Sequence, residues 1–275
     1  MKIILTTNPQ NPRAVALARH AAAYLQGKAS VLVSRESMGA LSDGETTSLE
    51  TFDGDAVVCF GGDGSLLYTA RRCRSPILSV NAGSMGFLSE VEADERSLER
   101  SLDSLLKGDF RVESRMRLAG QVGTRPVPDA LNEILVHSDV VGKLRTWRVS
   151  MDGMTVGDLQ SDGLILATPT GSTSYALSAG GPVVDPSVEA LLLVPLAPFP
   201  GPARPLVLGP WHEVQVELQG ARRGGVVVSD GQESVPLPEG SGLQVWKSPD
   251  AARLIRFDSR FLQRLARSSL LGWPR

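Results

Sequence analysis

Two hydrophobic rhythms divide the chain. Up to about residue 110, short apolar runs alternate with longer stretches whose apolar residues recur every three or four positions. Lys2–Thr6, Ser30–Val33, Ala56–Phe60 and Pro76–Val80 read as buried strands. Pro12–Gln26, with Val15, Leu17, Ala18, Ala21, Ala22 and Leu25 recurring along it, predicts a helix that begins after Asn11 and ends at Gly27. Ala93–Lys107 predicts a second, closed by Gly108. A third follows Gly61-Gly62-Asp63-Gly64: Ser65 reads as the N-cap of a helix over Leu66–Arg71. Strands buried on both faces and alternating with helices argue for a parallel, doubly wound sheet.

From Phe110 the rhythm changes. Arg111–Leu118, Ala130–Val136, Thr146–Met151, Leu164–Ala167, Val214–Leu218, Gly225–Ser229 and Leu243–Trp246 read as strands separated by Gly and Pro turns, with one short helix near Ser172–Ala179. Pro195–Pro210 reads as a loop, and Phe257–Leu271 as helix again. The predicted organisation is an α/β domain over residues 1–112, a β-rich domain over 113–250, and a C-terminal segment over 251–275 that packs back on the first domain.

Composition narrows the partners. The 275 residues are 42% hydrophobic and 21% charged with a net charge of −2, so the chain carries no basic footprint for nucleic acid or an anionic membrane. Arg71, Arg72 and Arg74 are the densest basic cluster near the first glycine motif, either a solvated helix end or a contact for nucleotide phosphates. Cys59 and Cys73 have neither Cys-x-x-Cys spacing nor partner histidines, which argues against a zinc site or a disulfide framework. With no signal-like start and no membrane-length apolar run, a soluble protein of the reducing cytoplasm is expected.

Four constellations carry chemistry. In Gly61-Gly62-Asp63-Gly64, three glycines surround a carboxylate directly after a buried strand. Glycines let a phosphate approach backbone N–H groups, and the start of the following helix favours an anion. A carboxylate at that spot suits a metal ligand or a base for an attacking hydroxyl; an Asx turn is the plain alternative. The second piece, Asn81-Ala82-Gly83-Ser84-Met85-Gly86-Phe87-Leu88, follows the next strand, so both loops point to one crevice at the carboxyl ends of parallel strands. Phe87 either covers a nucleobase or fills the core. The third is Asn132-Glu133 inside the apolar run Ala130–Val136; adjacent strand residues face opposite ways, so one polar side chain would be driven into the core, where a bound sugar or base could satisfy it. A bulge at a sheet edge is the other explanation. The fourth, Asp162–Pro182, runs from a strand into a loop with five hydroxyl side chains between Thr168 and Ser174, donors and acceptors suited to a sugar or purine edge or to a Ser/Thr-rich cap.

These pieces, in this order, resemble the NAD kinase family. The resemblance extends over Arg204-Pro205-Leu206-Val207 and Asp230-Gly231-Gln232 to Leu271-Gly272-Trp273, nearly the whole chain. It implies an N-terminal Rossmann-like domain, a C-terminal β-rich domain of β-sandwich type, and a homodimer or homotetramer with sites near subunit boundaries. It also implies transfer of the ATP γ-phosphate to the 2′-hydroxyl of the adenosine ribose of NAD. Carried over by motif, Asp63 is the catalytic carboxylate; Gly61, Gly62 and Gly64 form the phosphate loop, with Gly64 also beside the dinucleotide. Asp63, Asn132, Glu133, Lys143, Asp162, the run Thr173, Ser174, Tyr175, Ala176, Leu177, Ser178, and Gln232 line the NAD site. The chain departs from the pattern twice: Ser174 stands where many relatives have Ala, and Phe199 where many have His.

The mechanism this implies has Asp63 orienting and deprotonating the 2′-hydroxyl, while Mg²⁺ on the phosphates of ATP, or of polyphosphate, offsets their charge. No Gly-x-x-x-x-Gly-Lys-Ser/Thr is present, so a P-loop kinase is excluded. A lipid kinase would share the Gly-Gly-Asp-Gly turn but add a membrane-facing apolar or basic surface. A non-catalytic dinucleotide sensor would have dispensed with Asp63.

Overall fold

The computed structural model describes residues 1–41, 45–83, 86–140, 143–220, 224–258 and 261–267. Ser84 and Met85 of the second glycine motif, and Leu271-Gly272-Trp273, lie outside them. The chain divides into two compact units, Met1–Ser114 with Ala252–Arg275, and Arg115–Ala251.

In the first unit the chain runs β1 (Lys2–Thr7), α1 (Pro12–Leu25), β2 (Ser30–Ser34), β3 (Thr46–Thr47), β4 (Ala56–Gly61), α2 (Asp63–Arg72), β5 (Ile77–Asn81), α3 (Glu95–Lys107) and β6 (Arg111–Arg115). α1 begins where Asn11 Oδ1 accepts from the N–H groups of Arg13 and Ala14 and Pro12 presets the first turn; it buries Leu17, Ala18, Ala21 and Leu25. α3 starts at Glu95 rather than Ala93, because Asp94 caps it by accepting from Ser97 N–H, and it ends on left-handed Gly108. Strands β3-β2-β1-β4-β5 lie side by side and parallel. β1 is flanked by β2 on one side and β4 on the other, so the strand order reverses there and the loops leaving β1, β4 and β5 share one end of the sheet.

α2 corrects an expectation: it begins at Asp63, with Gly62 as its N-cap, and Ser65 lies inside the first turn. A carboxylate is favoured beside the unpaired N–H groups of a helix start, so Asp63 belongs to the helix rather than to the loop before it. Arg71 and Arg72 fall at the far end of this ten-residue helix, about 12–14 Å along its axis from Asp63. Arg72 pairs with Glu50 and lies over the Tyr68 ring, 3.7 Å from its centroid, which favours the helix-end reading of that cluster.

The second unit continues with β7 (Leu118–Val122), β8 (Arg125–Ala130), β9 (Glu133–Ser138), β10 (Arg145–Met151), β11 (Met154–Ser161) and β12 (Gly163–Ala167). Next come a 3₁₀ turn over Thr170–Thr173, α4 (Tyr175–Ser178), β13 (Leu191–Leu196), β14 (Leu206–Leu208), β15 (Val214–Gln219), β16 (Gly225–Ser229), β17 (Glu233–Leu237) and β18 (Gly242–Lys247). They form two six-stranded antiparallel sheets, β11-β10-β15-β18-β7-β8 and β14-β13-β12-β9-β16-β17, whose facing apolar residues merge into one core around Trp147, Leu166, Val216 and Val245. The chain then returns to the first unit as β19 (Ala252–Arg256), between β5 and β6, and as α5 (Phe261–Arg267).

Arg111–Leu118 is thus two strands in different sheets, and the run Ala130–Val136 is broken at Leu131 and Asn132, between β8 and β9. Pro195–Pro210 is not all loop, since it contains β14, and Phe257 and Asp258 precede α5 rather than belong to it. The first five residues of β11 are exposed, so that edge strand shows no in–out alternation in the sequence.

Candidate functional site

The α/β unit presents one carboxylate at the carboxyl end of its sheet. Gly61 ends β4, Gly62 caps α2, Asp63 is the first helical residue, and Gly64 is exposed beside it. None of these three glycines has a positive φ. Gly62 and Gly64 have open space where a Cβ would stand, whereas buried Gly61 makes room for Ser65, whose Oγ would lie 2.2 Å from a Cβ there. Gly61 therefore serves the packing of α2 rather than the expected phosphate loop. The half-buried Asp63 carboxylate accepts from Phe87 N–H at 2.9 Å through Oδ2 and from Leu88 N–H at 3.2 Å through Oδ1. Gly86 makes that approach possible: a Cβ there would stand 2.3 Å from Asp63 Oδ1. The loop after β5 is therefore shaped around Asp63. Ala82 N–H donates to Gly61 O, and Asn11, at the start of α1, donates to Ala82 O, tying the loops after β1, β4 and β5 together. Phe87 is half-buried, and its backbone rather than its ring makes the contact with Asp63.

The β-rich unit builds a second assembly around the break between β8 and β9. Asp230 accepts three successive backbone N–H groups, Leu131 at 2.9 Å, Asn132 at 2.7 Å and Glu133 at 3.1 Å. Asp230 and Gly231 both have positive φ, 49° and 65°, in a tight turn closed by Gln232 N–H donating to Ser229 O. Asn132 and Glu133 are both buried, so the expectation that one faces inward and the other outward fails; Asn132 is off the strand and Asp230 folds the pair into a turn. Thr168 closes the far side, its Oγ1 donating to Leu131 O and its N–H to Asn132 O. At Gly171 a Cβ would lie 2.1 Å from Asn132 O, so only glycine lets this loop seat on the turn.

The hydroxyl-rich loop is mostly structural. Thr168 and Ser172 are fully buried and bonded to backbone carbonyls, and Thr170 accepts from Arg115. Only Thr173 and Ser174 remain half-open. Ser174 Oγ accepts from Asn132 Nδ2 at 3.4 Å and its hydroxyl bonds to Glu133. Asn132 Oδ1 is buried with no hydrogen-bond partner, an acceptor awaiting a donor. Burial first, then the nearby Asp230 carboxylate, push Glu133 up to about 7, against the lowering pull of Ser174. Tyr175 and Ser178 are exposed and Leu177 half-buried, whereas the Ala176 side chain packs among Ile165, Ala167, Leu192 and Val194 and cannot itself line a site. Gln232 is exposed at the same end.

Asp162 and Lys143 stand elsewhere. β12 pairs with β9 so that Ala167 faces Glu133 while Gly163 faces His137. Asp162 therefore sits about 17 Å from Glu133, five residues of strand away. Lys143 is exposed on the connection after β9, at the Asp162 end. Within the chain the structure does not bring these two to Asn132 and Glu133. Asp230, conversely, was not among the predicted site residues, although an Asp-Gly pair between two apolar runs signals a hairpin turn.

Comparison with known proteins places both units. Residues 3–110 match the model of the ATP-NAD kinase N-terminal domain and residues 131–257 that of the C-terminal domain. The chain is 39% identical over 221 residues to the NAD kinase of Thermococcus sibiricus, covering 80% of this chain and 79% of that one. It is 35% identical over 267 residues to the NAD kinase of Methanoculleus marisnigri, covering 96% and 97%. Among solved structures, the NAD kinase of Archaeoglobus fulgidus in complex with ATP aligns over the full length of both chains with a TM-score of 0.80 at 27% identity. The yeast NADH kinase complexed with NADH shares the fold, with a TM-score of 0.85 at 22% identity over 99% of this chain and 88% of that one.

Proposed function

The chain belongs to the NAD kinase family and phosphorylates NAD to NADP, and from that premise we propose that Asp63 is the group that meets the acceptor hydroxyl. The 2′-oxygen of the adenosine ribose attacks the γ-phosphorus of ATP. A bond forms between that oxygen and phosphorus, the bond to the bridging oxygen breaks, ADP leaves, and the hydroxyl proton passes to Asp63. The observation that carries this reading is the Asp63 carboxylate, fixed by two backbone N–H groups at the carboxyl end of β4 with lone pairs left to accept a hydroxyl. Gly62 and Gly64 offer close backbone approach to the phosphates.

Asn132, Glu133, Thr173, Ser174 and the exposed residues of α4 hold the dinucleotide in this reading, with Gln232 at its edge. The buried, unmatched Oδ1 of Asn132 supports it, since a nucleoside supplies the donor. Among the described residues no group of three or more His, Cys, Asp or Glu side chains could hold a metal ion. Mg²⁺ enters this scheme as part of the substrate, on the ATP phosphates, where it neutralises charge. Inorganic polyphosphate offers the same terminal anhydride and is the second donor to test.

Asp162 and Lys143 serve the site of a partner copy in this reading, in a homodimer or homotetramer, because they lie a strand length from Asn132 in their own protomer. Exposed Met154 and Val156 on edge strand β11, Val207 on edge strand β14, and Trp211 supply apolar surface for such a contact. Free, buried Cys59 and Cys73 suit a reducing compartment, and we assign the enzyme to the cytoplasm.

The deciding experiment couples NADP formation from ATP, Mg²⁺ and NAD to an NADP-specific dehydrogenase. Asp63→Asn is expected to lose about 10²- to 10⁴-fold in kcat while still binding NAD by calorimetry. Undiminished turnover in that variant overturns the assignment.

A further inference from the structure

We propose that Arg264 is a positioning residue for Asp63, acting through the peptide group that joins Phe87 to Leu88; the inference rests on Asp63 being the carboxylate that meets the acceptor hydroxyl. Arg264 Nη1 donates to Phe87 O at 2.7 Å, and the N–H of the same peptide group, on Leu88, donates to Asp63 Oδ1. A cation on the carbonyl polarises that peptide and strengthens its N–H as a donor, so the guanidinium is relayed to the carboxylate across one planar unit.

The next peptide is held in the same way. Arg256 Nη1 donates to Leu88 O at 2.8 Å. The two arginines converge on Glu90, which is buried: Arg256 lies 3.0 Å and Arg264 3.4 Å from Glu90 Oε2, while Phe257 N–H donates to Oε1. Arg256 Nε donates to Glu113 Oε2 at 2.9 Å. β19 and α5, from the far end of the sequence, thus clamp the loop whose two N–H groups define where Asp63 points. Arg256 is 3% exposed and holds Leu88 O, Glu90 and Glu113 at once, whereas Arg264 sits on the seven-residue α5 with its side chain 15% exposed and can be changed with less damage. Gly86 gives Asp63 no side chain to lean on, so its orientation depends on this backbone clamp.

The test compares wild type, Arg264→Met, Arg264→Lys and Asp63→Asn, with rates normalised to the NAD-binding sites counted by calorimetry. Arg264→Met is expected to lower kcat roughly ten- to a hundredfold, as a small misplacement of a reacting group does, with KM for NAD and ATP within about twofold of wild type. Arg264→Lys, which keeps a cationic donor, is expected to recover most of that loss. A wild-type kcat in Arg264→Met, a KM that rises in step with the fall in kcat, or no recovery with Lys overturns the positioning role while an inactive Asp63→Asn leaves the assignment of Asp63 standing. An active Asp63→Asn overturns both. If Arg264→Met does not fold, the decision passes to Arg264→Lys and Arg264→Gln: near-wild-type kcat with Lys and reduced kcat at unchanged KM with Gln support the role, and equal rates overturn it.

Discussion

Glu133 is a buried carboxylate in the assembly around Asn132. Its pKa is raised from an ordinary 4.5 to about 7, by burial first and by Asp230 second. The folded state therefore keeps a proton between those values that the unfolded chain releases. Stability is highest below the unfolded value, falls as pH rises through that window, and is flat above about 7. Glu133→Gln removes the ionisable group, so it is expected to be more stable than wild type at pH 8, by about 1–3 kcal/mol, and no more stable at pH 4. Urea denaturation at the two pH values checks this; an equal difference at both would mean that Glu133 ionises freely in the fold. Ser174 sits between Asn132 and Glu133 and binds both, so it lies at the centre of the assembly.

At the scale of elements, the turn between β16 and β17 builds the Asn132–Glu133 break. Asp230 binds three consecutive N–H groups at this junction, those of Leu131 and Asn132 between β8 and β9 and that of Glu133, the first residue of β9. Asp230→Ala leaves them buried without that acceptor, at about 1–3 kcal/mol for each group left unmatched. The expected outcome is a lower Tm together with a raised KM for NAD, while kcat at saturating NAD stays near wild type. A raised KM with unchanged Tm would indicate direct contact with substrate instead. The role of Asp230 is hard to read along the chain, since its partners lie almost one hundred residues away. Asn132-Glu133 is conspicuous as a polar pair in an apolar run, but the run conceals a change of strand that only the carboxylate reveals.

The whole molecule decides how a site made from distant segments is completed. If a partner copy supplies Asp162, then Asn132→Ala and Asp162→Ala should each weaken NAD binding alone, yet complement when mixed and allowed to exchange subunits. Random pairing places one intact site in each mixed dimer, so about a quarter of all sites should regain wild-type affinity. Calorimetric counting of tight sites checks this, and no recovery after confirmed exchange would confine the site to one protomer. The C-terminal return has a similar character. β19 enters the first sheet between β5 and β6, and its neighbour α5 carries Arg264 to Phe87, 177 residues earlier in sequence.

By itself the sequence determined the elements with strong local signals: two-face buried strands, helices bounded by Asn11 and Gly108, and glycine turns that place Asp63 and Gly86 after neighbouring strands. Those signals are legible because burial period, caps and close-approach glycines act over a few residues. The tertiary structure decided that Asp63 opens a helix and is aimed by Phe87 and Leu88. It decided that Thr168 and Ser172 serve the fold rather than a ligand, and that Asp230 organises Asn132 and Glu133. It also set Asp162 a strand length away from them. Most of these depend on hydrogen bonds or register between segments far apart in the chain, and a local pattern of polar and apolar residues holds no record of which distant group will satisfy which.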